Sequence, residues 1–252
     1  MKIVLLGSGN VATHLGIALK LANHEVIQVW SRTLDNARLL AKSLEATFTD
    51  NLSEVSPDAD IYMASVSDDY IADIISAFAI PDKLLVHTSG STGLDISGLS
   101  GVFYPLQTFT KTSSVDFSVI PIAIEGVNQE VETLLFELAE SIGSKPLVLN
   151  SEQRKALHVA AVFACNFSNH LYSIANKILD NNDLNFELIR PLISETASKI
   201  QSHLPATVQT GPAVRNDQKI LDNHLQFLAD DSTLADLYDR LSQSIINFNQ
   251  KA

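Results

Sequence analysis

The chain has 252 residues, 46% of them hydrophobic, which is enough for two ordinary domains with sizeable cores. Its 17 basic and 29 acidic residues leave a formal charge of -12 with no local basic cluster, which argues against nucleic acid and anionic membrane surfaces as partners. The one cysteine, Cys165, excludes an internal disulfide framework, and no Cys and His stand at metal-ligand spacing, so the sequence implies a reducing, cytoplasmic setting and no metal.

In chain order, Ile3-Val4-Leu5-Leu6 reads as a buried strand, Gly7 to Ala12 as a turn, 10–21 as a helix and 25–30 as a second strand. The apolar start after Lys2 is broken by Gly7 and Asn10 too early for an export signal, and no run of about twenty apolar residues is present to span a membrane. Helix 33–44, a short strand 46–48, the turn Ser56-Pro57-Asp58 and a strand within 60–66 follow. Asp68-Asp69 then caps a helix over 70–78, the turn Pro81-Asp82 comes next, and 83–87 forms a fifth strand. From Thr88 the texture is Gly- and Ser-rich and reads as loop, with the short apolar pieces 94–96 and 102–104 inside it. A strand at 119–124, a helix at 129–142 and a strand at 146–149 complete this half.

After Asn150 strands give way to helical periodicity over 152–181, 184–202, 217–229 and 234–248, with Pro191 unsettling the start of the second. The expected architecture is therefore α/β followed by all-α: a Rossmann-type, mostly parallel sheet in residues 1–150 and a helical domain in residues 151–252.

The first βαβ unit carries a phosphate loop. Gly7 permits the tight turn, Gly9 lets a pyrophosphate approach without a Cβ clash, and the small Ala12 lets the helix pack on the strand. Ser8, Asn10 and Val11 share this loop, and the helix that starts there points free N–H groups at the anion. The second strand ends in Ser31-Arg32-Thr33, not in the acid that binds ribose hydroxyls in NAD sites. Arg32 can pair with a 2′-phosphate and stack on adenine, with Ser31 and Thr33 as hydroxyl donors, which selects NADP and disfavours S-adenosylmethionine. Ser65, Val66 and Ser67, after the fourth strand, are placed beside the cofactor.

With its Gly7 to Ala12 loop, Ser31-Arg32-Thr33, a β-rich stretch to Leu149 and a long helix after it, the chain resembles the superfamily of 6-phosphogluconate dehydrogenase and pyrroline-5-carboxylate reductase. Three segments, 87–91, 158–170 and 210–217, resemble one branch of it, the Rossmann-like NADP oxidoreductases whose helical half is a domain of unknown function. The resemblance implies an NADP-linked reductase or dehydrogenase acting on a small molecule, and a homodimer formed through the helical domains. In the β-hydroxyacid dehydrogenases of the superfamily the long helix bears a catalytic lysine four residues before an asparagine. The matching positions here are Cys165 and Asn169, so the lysine is absent.

On that helix His158, Val162, Cys165, Asn166, Asn169 and Tyr172 share one face at helical spacing, with Ala161, Ala164 and Leu171 on another. His158 is the candidate general acid, and Asn166 and Asn169 orient a substrate; the alternative is a structural hydrogen-bond network. His87 and Ser89 follow the fifth strand, where a nicotinamide is expected, and Ser91 can bind substrate there, the alternative being turn formation by Ser and Gly. Tyr104 and Gln107 are candidates for the same pocket. Arg215, after a Gly-Pro turn, can clamp a substrate carboxylate or take part in a capping salt bridge, with Asn216 or Asp217 as the cap; His224 reads as a core histidine. The leading expectation is hydride transfer to or from a small anionic substrate; an NADP(H)-binding sensor without turnover is the alternative.

Overall fold

The structure is a computed structural model and describes residues 1–77, 82–95 and 98–249. The expected residues Phe78, Pro81 and Ile96 lie outside these.

Strands β1 (Lys2–Leu6), β2 (Glu25–Trp30), β3 (Thr47–Thr49), β4 (Ile61–Ala64), β5 (Leu84–His87), β6 (Ser100–Pro105), β7 (Pro121–Gly126) and β8 (Lys145–Val148) form one sheet of order β3-β2-β1-β4-β5-β6-β7-β8. Only the β6–β7 pairing is antiparallel. Helices α1 (Asn10–Leu21), α2 (Leu34–Leu44), α3 (Asp68–Ala77) and α4 (Gln129–Ser141) cross over between strands. Residues of β1 alternate between two cores: Ile3 and Leu5 join one with Leu15, Leu19 and Leu40, while Val4 and Leu6 join another with Trp30, Tyr62 and Ile74. Both faces are therefore covered, as a parallel sheet requires. The chain runs outward through β2 and β3 and returns on the other side of β1 to form β4. The crevice beyond β1 and β4 is thus a topological switch point, where ligands bind in such sheets.

One stretch departs from expectation. The Gly- and Ser-rich 100–105 is not loop but β6, with Val102 and Phe103 fully buried. Gly101 disguised it, and its role is steric: a Cβ there would lie 2.6 Å from Leu135 Cδ1, so only glycine lets α4 pack this closely on the strand.

By packing, the chain divides into two compact units, Met1–Leu171 and Tyr172–Ala252. The last strand ends at Val148. Asn150 then starts α5 (Ser151–Ala161) with a reciprocal capping box to Gln153. The long helix expected over 152–181 is interrupted: Val162–Phe167 is a π-helical turn, followed by α6 (Ser168–Asp180). The remaining helices are α7 (Arg190–Lys199), with Pro191 in its first turn, α8 (Gln218–Phe227), capped by Asp217, and α9 (Ser232–Asn249). His224 is exposed, its Nδ1 2.7 Å from Tyr238 Oη, and so is satisfied without being a core residue.

Candidate active site

At the switch point Gly7 has φ +134, and a Cβ added to it would lie 2.3 Å from the Ser65 carbonyl oxygen. Glycine is required here both by conformation and by the approach of β4. Gly9, by contrast, has open space where a Cβ would be, and no side chain caps α1, which starts directly after it. The result is a helix N-terminus with free amides and room in front of it, which fits a pyrophosphate. Ser8 Oγ donates to Ser31 Oγ at 2.8 Å and ties this loop to the end of β2, where Arg32 stands exposed and Thr33 precedes α2. Ser65 Oγ is buried with no hydrogen-bond partner among the described residues, an acceptor or donor left over beside the loop. Val66 is half-buried and Ser67 exposed. Asn10 is used otherwise: its Nδ2 donates to the Phe109 carbonyl at 2.8 Å and holds the 106–110 loop against α1.

Beyond β5 a second loop is fastened from several sides. His87 is buried, accepts from Ser89 N at Nδ1 and reaches the Gly93 carbonyl through Nε2 at 3.2 Å, so it is a neutral imidazole with both nitrogens engaged. Burial pushes its pKa down to about 4. Ser89 Oγ accepts from the amides of Ser91 and Thr92 at 3.1 and 2.9 Å, and Ser91 Oγ donates to the Asp68 carboxylate at the start of α3. Arg154, fully buried on α5, bridges the Glu125 carboxylate of β7 and the Thr92 carbonyl. Glu125 also accepts from the amide and hydroxyl of Ser151.

One turn beyond Arg154, His158 Nδ1 lies 2.9 Å from Tyr104 Oη. Burial, and then the Asp68 carboxylate, raise the phenol's pKa, so Tyr104 keeps its proton within this contact. Gly90 packs against both: a Cβ there would lie 2.6 Å from His158 Nδ1 and 2.7 Å from Tyr104 Cζ. This pair borders a cavity of about 370 Å³ that runs from Val11 of the phosphate loop past Thr88 to Gln107, Cys165 and Asn166. Ala161, expected on another face, lines this cavity because it stands three residues after His158 on α5, ahead of the π turn; beyond that turn, which adds a residue to the helical repeat, Asn169 does not line it. A larger cleft of about 720 Å³ lies along α1 and the 111–117 loop, but the titratable groups lining it are dispersed: His14 is committed to the Thr110 carbonyl and Asp116 caps the turn at Ser118.

The structure thus brings together His87, Ser89, Ser91, Tyr104, Gln107, His158 and Asn166 around one loop and cavity. Arg215 belongs to the other compact unit, where it is exposed and has no carboxylate partner among the described residues. Sequence reasoning passed over Asp68 as anything but a cap, and over Gly90, Glu125 and Arg154. Only Arg154 carried a signal, since it stands four residues before His158 and so on the same helix face. Among the described residues no three His, Cys, Asp or Glu side chains are grouped to hold a metal, and no helix is long and apolar enough to cross a membrane.

A doubly wound sheet with a glycine loop at its switch point, followed in the chain by a helical half, defines a Rossmann-type dinucleotide-binding protein. Residues 2–90 match the family described as "NADP oxidoreductase coenzyme F420-dependent", and residues 120–245 match the "Domain of unknown function (DUF2520)". The Bacteroides fragilis protein described as a "putative NADP oxidoreductase" is 43% identical, with 98% of each chain covered and a TM-score of 0.92. The chain belongs to this family of two-part NADP oxidoreductases, and NADP is the cofactor for which the family is described. A Thermotoga maritima protein at 24% identity (99% and 98% covered, TM-score 0.74) and the pyrroline-5-carboxylate reductase of Streptococcus pyogenes at 14% (98% of each, TM-score 0.62) share the fold. No curated protein matches the chain.

Proposed function

We propose that this protein is an NADP(H)-dependent oxidoreductase in which residues 1–150 hold the cofactor and residues 151–252 supply substrate and dimer contacts. The observation that carries this reading is the Tyr104–His158 pair, buttressed by Gly90 and opening on a cavity continuous with the phosphate loop. Gly7, Ser8, Gly9, Val11 and Ala12 would receive the pyrophosphate, Ser31, Arg32 and Thr33 the 2′-phosphate end, and Ser65, Val66 and Ser67 the ribose between them. A bound nicotinamide supplies or accepts the hydride. The chain's own task is the proton. Protonated on both ring nitrogens, His158 donates Nδ1–H to Tyr104 Oη and gives its Nε2 proton to a substrate oxygen or nitrogen, ending as the neutral imidazole. This takes over the task of the lysine that Cys165 replaces. Asn166, which lines the cavity, orients the substrate. Ser89 and Ser91, anchored by Asp68, present the loop that His87 braces from behind.

Arg215 supports an anionic substrate, because its exposed guanidinium is free to pair with a carboxylate. A homodimer through the helical half is supported by exposed apolar side chains there, among them Leu188 and Leu192 at 65% and Leu204 at 75% exposure. The exposed, unpaired Cys165 suits a reducing cytoplasm.

Titration of NADPH and NADH fluorescence followed by NADPH oxidation with a panel of keto acids, imines and hydroxy acids (run in reverse) tests the reading. Turnover that falls about 10²- to 10⁴-fold in His158→Gln supports it. Tight NADPH binding with no turnover by any member would make the protein a sensor instead.

A further inference from the structure

Six arginines are present, and four of them, Arg38, Arg154, Arg190 and Arg240, are paired with carboxylates. Arg32 is held differently: its guanidinium carbon lies 3.7 Å above the centre of the Tyr70 ring. Tyr70 sits in the first turn of α3, two residues after Asp68, yet neither Asp68 nor Asp69 forms an ion pair with Arg32. The distinction matters chemically. A carboxylate would fix the side chain but neutralise it and occupy its N–H groups, so an incoming phosphate would have to displace it. An aromatic face fixes a cation while leaving its charge whole. A guanidinium held over a ring keeps donors that no carboxylate has taken, and these stay available to an anion.

We infer that Tyr70 is the positioning residue for NADP specificity: it parks Arg32 charged over its ring, so that the 2′-phosphate meets a preformed fork. This rests on the cofactor reading above and adds to it a residue on α3, remote in sequence from Ser31-Arg32-Thr33. The same first turn carries Asp68, which binds Ser91, so α3 supports both the adenosine end and the catalytic loop.

The test uses half-cofactors, which need no substrate. Adenosine 2′,5′-bisphosphate and adenosine 5′-monophosphate are titrated calorimetrically into the full chain and into Tyr70→Leu, Tyr70→Phe and Arg32→Ala. Loss of an exposed cation–π contact predicts about three- to fivefold weaker bisphosphate binding by Tyr70→Leu, with monophosphate binding unchanged. Tyr70→Phe, which keeps the ring, keeps wild-type affinity for both. Equal weakening of both ligands in Tyr70→Leu would make the ring an adenine platform and overturn the inference, as would no weakening of either. If Arg32→Ala loses the preference for the bisphosphate while Tyr70→Leu retains it, only the inference fails. If Arg32→Ala retains it, the placement of the 2′-phosphate at Arg32 fails as well.

Discussion

The two compact units solve the problem of burying apolar surface in different ways. The sheet unit closes on itself: Ile3, Leu5, Leu15, Phe103 and Leu135 are fully buried, and its buried cation, Arg154, meets a carboxylate, a hydroxyl and a carbonyl. The helical unit does not. Among its described residues only Ala213, Leu221 and Ser242 are buried, while leucines and phenylalanines along its helices stay exposed. An amphipathic helix owes most of its stability to the surface its apolar face covers. The contrast teaches that the sheet unit buries its apolar surface within one chain, whereas the helical unit leaves apolar surface over, which is what the proposed dimer would cover.

The largest expected effect tests that difference directly. With 27.4 kDa per chain, the protein should sediment as a dimer, and Leu188→Glu with Leu192→Glu should return it to one chain's mass, because charges on a covered apolar face remain desolvated. A monomeric wild type would break the comparison. In the sheet unit, Arg154→Leu leaves the Glu125 carboxylate partly buried without its cation and frees the Thr92 carbonyl. It should cost about 3–5 kcal/mol in urea unfolding. It should also uncouple the loop from α5, so NADPH binding outlasts turnover in the folded fraction.

What could be read beforehand follows the same division. The glycine turn from Gly7 to Ala12 was legible because it is a local object, its spacing set by one strand, one turn and one helix. The sheet emerged from alternating apolar runs, apart from β6, whose Gly98, Ser100 and Gly101 mimic a loop although Gly101 serves helix packing. The active-site pair was half legible. His158 and Tyr104 were each nominated, but their contact spans 54 residues of chain and depends on Gly90 having no side chain. The π turn was invisible, since nothing in Val162 to Phe167 departs from helical composition; Asn166 within it lines the cavity, and Asn169 beyond it does not.

His87 sharpens the comparison through pH. Its pKa falls from 6.5 to about 4 on folding because burial penalises the cation. Above pH 6.5 the imidazole is neutral in both states. As the pH drops toward 4 the unfolded chain takes up a proton that the folded chain refuses, so stability declines by up to about 3 kcal/mol. Urea midpoints at pH 7 and pH 4.5 should therefore differ more in the wild type than in His87→Gln; equal differences would show that His87 is not held neutral. Gly90→Ala comes next. Its Cβ must push the His158 imidazole or the Tyr104 ring aside, at about 1–3 kcal/mol of overpacking, and should abolish turnover while sparing NADPH binding.

The smallest effect is expected on the surface of α7, where Glu195 Oε1 lies 3.1 Å from Lys199 Nζ and both side chains are about half exposed. Glutamate four residues before lysine is the favourable order on a helix, and such a pair contributes about 0.3–0.5 kcal/mol, less in salt. Lys199→Ala also gains helix propensity, so the urea midpoint at 0.15 M salt should barely move. The measurement informs the comparison in either direction. Near-identity with wild type means that water still reaches the C-terminal end of the α7 face that Leu192 shares with this pair, so that any cover lies toward the N-terminal end of the helix. A loss of more than about 1 kcal/mol would mean that the pair is desolvated by whatever covers the helical unit, since only a pair removed from solvent contributes that much.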